Sequence, residues 1–318
     1  GDVYKRQVQG QLTVSEWQSE LRANGALENN GGASGTLSMR SALVPAMGVG
    51  LAATPRQGQL EGKGRWQWRQ TLKASGDITL TGADLDWGSV TARGAAGVLH
   101  VEYDNGQVQL SSTGSVTVST LDIGTPITDL ALTVKSDLSQ WQFTDIRADL
   151  LGGYLRSPAL DWPSARPQPV VISRIDLAEV AALQNPPPVS LSGRIGGYVP
   201  LQLGADFLVI EQGRLANEEP LSLIIPASSS VQAMADSNQA VKLALDSLST
   251  LLISDFQARM AMDKVGWLDA VITIKGINPQ RKSLPVVFNY THRENVLALM
   301  RSLRIGDEIT EQLRTENR

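Results

Sequence analysis

Cysteine is absent from all 318 residues, which excludes disulfides, thiolate-held zinc, iron–sulfur clusters and thiol nucleophiles. The absence leaves the compartment open, since oxidising compartments also hold cysteine-free proteins. Histidine occurs only at His100 and His292, far apart in sequence, so a two-histidine metal site would require tertiary coincidence. An exposed strand position is the simpler reading of each. Charge of one sign is also scarce: 28 Lys and Arg stand against 32 Asp and Glu, a net −4 with no long block, and nothing draws nucleic acid. The longest uncharged apolar run, Ala42 to Thr54, contains Pro45, Gly48 and Gly50 and falls well short of the roughly 20 residues that span a bilayer. No initiator Met and no signal peptide are present, so the chain reads as a fragment whose natural N-terminus lies upstream, with residues 1–7 (GDVYKRQ) a non-native tail.

What is present is apolar residues at 42%, enough for a large core, with 29 Gly and 15 Pro scattered aperiodically. That composition suits many short elements broken by turns. From Val8 to about Leu160 the pattern alternates with period two. Gly97 to Tyr103 sets Leu99, Val101 and Tyr103 on one face and His100 and Glu102 on the other, as in a strand buried on one side. Asp104-Asn105-Gly106 is a hairpin turn. Gln107–Ser112, Ser115–Ile123, Ile127–Lys135 and Ser139–Leu150 repeat the grammar, with Leu130, Leu132 and Val134 inward and Trp141 and Phe143 continuing them. Val8–Val14, Gly35–Ala42, Trp66–Lys73 and Asp77–Trp87 are weaker strands, and residues 29–32 are a loop. These successive hairpins predict an antiparallel sheet.

Further on, Asp176 and Glu179 have capping-box spacing before Leu177, Val180, Ala181 and Leu183, which predicts a short helix ended by the prolines at 186–188. Strands follow at Val189–Gly196, Val199–Leu203, Phe207–Gln212, Leu221–Pro226, Leu251–Met262, Trp267–Ile274 and Leu284–Tyr290. Helical spacing recurs at Val241, Ala244, Leu245, Leu248 and at Val296, Leu299, Met300, Leu303, with Thr291 and Glu294 as a capping box for the latter. The division expected is a repetitive β segment over 8–165 and a β-rich segment with capping helices over 166–318.

Catalytic grammar is missing. There is no G-x-S-x-G elbow, no phosphate loop and no G-x-G-x-x-G; Gly62-Lys63-Gly64 is too short to count. Asp84 and Asp86, two apart on one strand, could serve glycoside hydrolysis, but a solvated outer face explains them more simply. Trp66 and Trp68 could form a sugar-stacking or interface platform, and core or rim positions are their bland alternative. The chain is read as not an enzyme. An open sheet with one apolar face must close on itself, meet a second sheet, be covered by helices, or hold apolar ligands.

The stretch Leu191, Gly193, Ile195, Gly196, Gly197, Val199, Pro200, Leu201, followed by Leu208-Val209-Ile210, Gly213 and Leu215, resembles the C-terminal region of YdbH-type proteins of the AsmA-like superfamily. Leu151-Gly152-Gly153, Ile175-Asp176-Leu177, Gly276-Ile277-Asn278-Pro279 and Pro285 to Asn289 leading into Asn295 to Met300 continue the ordered series from Asp145 to Arg318. One departure is Leu221 after Pro220, where that pattern has glycine.

The resemblance implies a mostly β fold, a long curled antiparallel sheet forming an open apolar groove, with two or three short helices in the C-terminal half. It implies a periplasmic segment anchored upstream to the inner membrane by a helix, carrying phospholipid acyl chains between inner and outer membranes without cofactor. Its C-terminal end would meet a small outer-membrane lipoprotein by strand addition. Candidate floor residues are Leu99, Val101, Tyr103, Val108, Leu110, Val116, Val118, Leu130, Leu132, Val134, Leu201, Leu203 and Val209, each equally readable as sandwich core. Val296, Leu299, Met300 and Leu303 would cap the groove or dock the partner, or simply pack on the sheet. The alternative function is a non-catalytic periplasmic β-sandwich that binds a polymer or protein.

Overall fold

The computed structural model describes residues 7–14, 18–28, 31–48, 53–88, 90–184, 187, 189–226, 249–281 and 283–299. Strand dominates the described residues, in nineteen segments whose pairings are antiparallel. The chain divides into two compact units, the first within Gly1–Ala148 plus Ala159–Pro163, the second within Asp149–Pro158 plus Ser164–Arg318.

Unit 1 holds β1 (Gln7–Val14), β2 (Ser19–Leu27), β3 (Ala33–Ala42), β4 (Thr54–Trp68), β5 (Leu72–Trp87), β6 (Val90–Asp104), β7 (Gln107–Ser112), β8 (Val116–Asp122) and β9 (Pro126–Ser136). From β1 to β6 it is a plain meander of hairpin-linked neighbours. β6 is long enough to pair with two short strands, β7 along its C-terminal half and β8 along its N-terminal half. The Asn105-Gly106 turn forms as expected, both residues at positive φ. Trp66–Lys73, read above as one strand, is instead the end of β4, a turn at 69–71 and the start of β5. Trp68 and Leu72 pair across that turn, so the chain reverses where a continuous run was expected. Gln7, placed in the tail above, pairs with Ala26.

The boundary between the units runs through β10 (Trp141–Leu150) and β11 (Gly153–Trp162). Unit 2 continues with β12 (Gln168–Asp176), α1 (Leu177–Ala182), β13 (Ser190–Ser192), β14 (Arg194–Leu203), β15 (Leu208–Asn217), β16 (Leu221–Ile224), β17 (Thr250–Met262), β18 (Trp267–Asn278) and β19 (Leu284–Asn295). Gly193, at φ +99°, separates β13 from β14; β14 then runs through Pro200 as one strand where two were expected.

α1 starts where predicted, but only half of the capping box forms. Asp176 accepts from Ala178 N at 2.8 Å, while the Asp176 amide donates to Leu151 O rather than to Glu179. Leu177 anchors the closed core of this unit among Ile175, Ile195, Leu221, Leu251 and Ile253, with Val180 packed against it. Leu221, the departure noted above, is 2% exposed and lies close to Gly193. A helical turn at 296–299 follows β19. Its cap is Asn295, which accepts from Ala298 N at 2.9 Å, and not Thr291, because β19 keeps extended geometry through Asn295. The expected helix at Val241–Leu248 lies outside the described residues.

Candidate functional site

Directly paired residues of antiparallel strands point to the same face, so the register assigns faces without further assumption. In unit 1 one row across β1 to β6 reads Leu12, Leu21, Met39, Gly62, Ile78, Leu99. The next reads Gly10, Ala23, Leu37, Gly64, Gly76, Val101 and, on β7, Leu110. A third reads Gly25, Gly35, Trp66, Ala74, Tyr103, Val108. No charged residue interrupts these rows, and apart from Gly62, which is buried and has no side chain, every residue in them is half-buried or exposed, with Leu12 at 59% and Leu21 at 42%. Within this face lies a concavity of about 160 Å³ along Leu21, Leu37, Met39, Ile78, Val101 and Tyr103. Its base is glycine: a Cβ on Gly62 would meet Met39 Cγ at 2.6 Å, and one on Gly76 would meet Lys63 O at 2.4 Å.

The opposite face of the same strands is polar and carries paired charges. Arg22 and Glu20 lie at 2.7 Å, Arg40 and Glu61 at 3.0 Å, and Lys73 and Asp104 at 2.7 Å. His100 Nδ1 lies 2.7 Å from Asp77, with Glu102 at 3.6 Å from Nε2. The hydrogen bond with Asp77, helped by the two carboxylate charges, raises the His100 pKa above its ordinary value. His292 sits on β19 against the Tyr290 hydroxyl, and among the described residues no group of three metal-capable side chains forms.

Asp84 departs from its expected place on a solvated face. Bulges shift the β5 register on both sides of Ala83, and they turn Asp84 inward to 8% exposure. Its carboxylate accepts from Gly94 N and Gln57 Nε2, each at 2.8 Å, while Asp86 pairs with Arg56 at 2.6 Å. Both carboxylates are engaged in holding strands. Trp66 and Trp68 share the apolar face, Trp66 with its ring over Gly25.

The register brings the unit 1 candidates together. Val101 opposes Leu110 and Tyr103 opposes Val108; Leu110 opposes Ser136, which shares its face with Val134 and Leu132; Val116 opposes Leu132 and Val118 opposes Leu130. With Leu99 these ten form one face, of which only Val134 is buried. In unit 2, Leu201 and Leu203 oppose Ile210 and Leu208 on a face continued by the row Ile172, Gly197, Leu215, Ala258, Ile272, Tyr290. Val209 does not join them. It opposes Gln202 on the other face, because the turn at 204–207 makes Leu208, not Val209, the mate of Leu203. At the C-terminal turn Val296 N donates to Gly266 O, and Leu299 is 45% exposed; Met300 and Leu303 lie outside the described residues.

The glycines of the unit 1 apolar face have no signal in the sequence reading above. Gly62 and Gly64, too short a motif for a phosphate loop, are spaced by two on β4, which places both on one face. The bulge that turns Asp84 inward has its trace in Gly82 and Gly94, both at positive φ.

No described helix is long and apolar enough to cross a membrane. No solved structure matches the chain. Among characterised proteins, the probable phospholipid transport protein YdbH of Escherichia coli (strain K12) is 27% identical over 271 residues, covering 82% of this chain and 29% of that protein. The chain thus spans under a third of the length of this relative. Residues 3–318 match the family described as intermembrane phospholipid transport protein YdbH, and the chain belongs to that YdbH-like family.

Proposed function

We propose that the chain is a segment of a bridge-like lipid transfer protein whose apolar sheet face carries phospholipid acyl chains between the inner and outer membranes. The observation that carries this reading is the pairing of an uninterrupted, half-exposed apolar face with a charged opposite face across β1 to β7. A sandwich core would bury those side chains, whereas a floor that solvates acyl chains leaves them accessible until lipid arrives. Membership of a phospholipid transport family supports the choice of ligand.

The mechanism needs no catalytic group. Each methylene laid on the floor gains about 0.8 kcal/mol over water, and neighbouring rows offer nearly equal seats, so a chain moves between them without leaving the apolar surface. Seven strands at about 4.8 Å spacing extend the face of unit 1 over roughly 30 Å. Within this reading the protein works in the periplasm, tethered upstream to the inner membrane, and meets a small outer-membrane lipoprotein near its C-terminal end by strand addition.

Native mass spectrometry of the chain expressed in a periplasm tests it. Co-purified phospholipid is expected, and its loss in a still-folded Leu130→Asp, Leu132→Asp double variant would place the floor on this face. A lipid-free, stable wild-type protein would overturn the proposal and favour a binding module.

A further inference from the structure

In unit 2 the two strand-end rims of the apolar face differ. Along the rim at Asp176, Arg194, Asn217 and Thr250 the face is sealed: Leu177 and Val180 of α1 pack onto Ile195, Leu221, Leu251 and Ile253, with Leu251 fully buried. At the opposite rim the chain turns at residues 164–167 ahead of β12, where Ser164 bonds Leu203, at the tip 204–207 between β14 and β15, and at the tip 263–266 between β17 and β18, where Val296 and Leu297 lie against Gly266. Directly below those tips lie Leu203 and Leu208, paired with each other, and Leu268. None of the three is buried.

The tips carry cation and aromatic together. Lys264 Nζ sits 4.3 Å from the centroid of the Phe207 ring, joining one tip to the other. Phe207 in turn lies over Gly204, where a Cβ would meet its ring at 2.2 Å. Val265 beside the lysine is 68% exposed. Of the carboxylates nearby, Asp263 accepts from the Val265 and Trp267 amides, and Asp269 pairs with Arg293 on the polar face. Asp206 stands one residue before Phe207. Among the described residues Lys264 has no ion-pair partner.

Resting on the lipid-carrying reading, we propose that this rim is the headgroup side of unit 2. Lys264, held over Phe207, takes the phosphate of a glycerophospholipid whose acyl chains lie on Leu203, Leu208 and Leu268. An amphiphile on a floor sealed along one edge must bring its charged end out along the other, and there the exposed cation meets it. A lysine at an apolar–aqueous boundary keeps its stem on apolar surface and its ammonium in water, where it attracts anionic lipid.

The test loads the whole chain with phosphatidylglycerol or with diacylglycerol of the same acyl chains and compares occupancy by native mass spectrometry. Wild type is expected to favour phosphatidylglycerol. In Lys264→Gln that preference should fall, by up to about fivefold, the upper end for an exposed ion pair, while Lys264→Arg keeps it. Asp206→Asn should raise it, and Lys73→Gln, on the polar face of unit 1, should leave it unchanged. Equal preference in wild type and Lys264→Gln overturns the headgroup assignment while leaving lipid carriage intact. Binding of neither lipid by wild type overturns the carriage reading itself. Inorganic phosphate at millimolar concentration that abolishes the preference without displacing diacylglycerol supports the site; phosphate bound equally tightly without lipid reassigns it to the free anion.

Discussion

Gly64 and Gly76 face each other across β4 and β5 so closely that a Cβ on Gly76 would lie 2.6 Å from the Gly64 Cα. The same Cβ would meet the Lys63 carbonyl, a backbone atom that cannot swing away. Gly76→Val is therefore expected to destabilise the chain by about 1–3 kcal/mol, the cost of overpacking. Gly10→Ala, at a position with nothing within 4 Å, should be neutral or slightly stabilising. Thermal or urea melts of the two variants separate these outcomes, and equal melts would mean that β4 and β5 do not approach as described.

Asp84 fixes the bulged end of β5. Asp84→Ala removes the buried carboxylate that accepts from the half-buried Gly94 amide and from Gln57 and lies 3.8 Å from Arg93, at a cost of about 1–3 kcal/mol for hydrogen bonds to a charged group. Asp86→Ala removes only a partly exposed pair with Arg56 and should cost less than about 1 kcal/mol. Urea unfolding midpoints that rank the two in the reverse order would show that Asp84 is not the strand pin.

The contrast between those two aspartates marks how far the sequence could be read. Period-two alternation sorts residues to two faces within a strand, and for Leu99, Val101 and Tyr103 or Leu130, Leu132 and Val134 that sorting survives intact. It does not carry across a bulge. Asp84 and Asp86 share parity, yet the irregularity beside Ala83 sends one inward and leaves the other at the surface. Nor does alternation say which face of one strand meets which face of the next: only the turn at 204–207, which pairs Leu203 with Leu208, puts Val209 on the face opposite Leu201. Helix caps follow the same limit: Asp176 stands at capping spacing from Glu179 and its helix begins there, whereas Thr291 and Glu294 have the same spacing but β19 stays extended through Asn295, which becomes the cap instead. The glycines of the apolar face carry no side-chain signal, and only their pairing across strands reveals them.

His100 supplies a pH dependence of known sign. Asp77 raises its folded-state pKa above the unfolded value near 6.5, so the protonated ring stabilises the fold fully below that value. The contribution disappears as pH rises through the folded pKa. Wild type should therefore exceed His100→Gln in melting temperature at about pH 5.5, and the gap should close by about pH 8.5. A gap that widens toward alkaline pH would contradict the Asp77 contact. Because the ring is partly exposed, added salt should shrink the effect.

Leu201 and Val209 separate the two faces of unit 2 with one type of substitution. Leu201 lies opposite Ile210 on the apolar face, and Val209 opposite Gln202 on the polar one, although both are half-buried aliphatic residues on neighbouring strands. A carboxylate at position 201 stands where acyl chains would lie and must be desolvated or hold water there, either of which opposes lipid. At position 209 a carboxylate meets an amide and solvent. Leu201→Asp is thus expected to lower phospholipid occupancy about tenfold or more, with Val209→Asp near wild type, provided circular dichroism shows both folded. Equal loss in both would mean that lipid contacts both faces of β14 and β15, and the one-sided floor would have to be abandoned. Equal retention would confine the acyl path to unit 1, where the Leu130→Asp, Leu132→Asp variant already interrogates it.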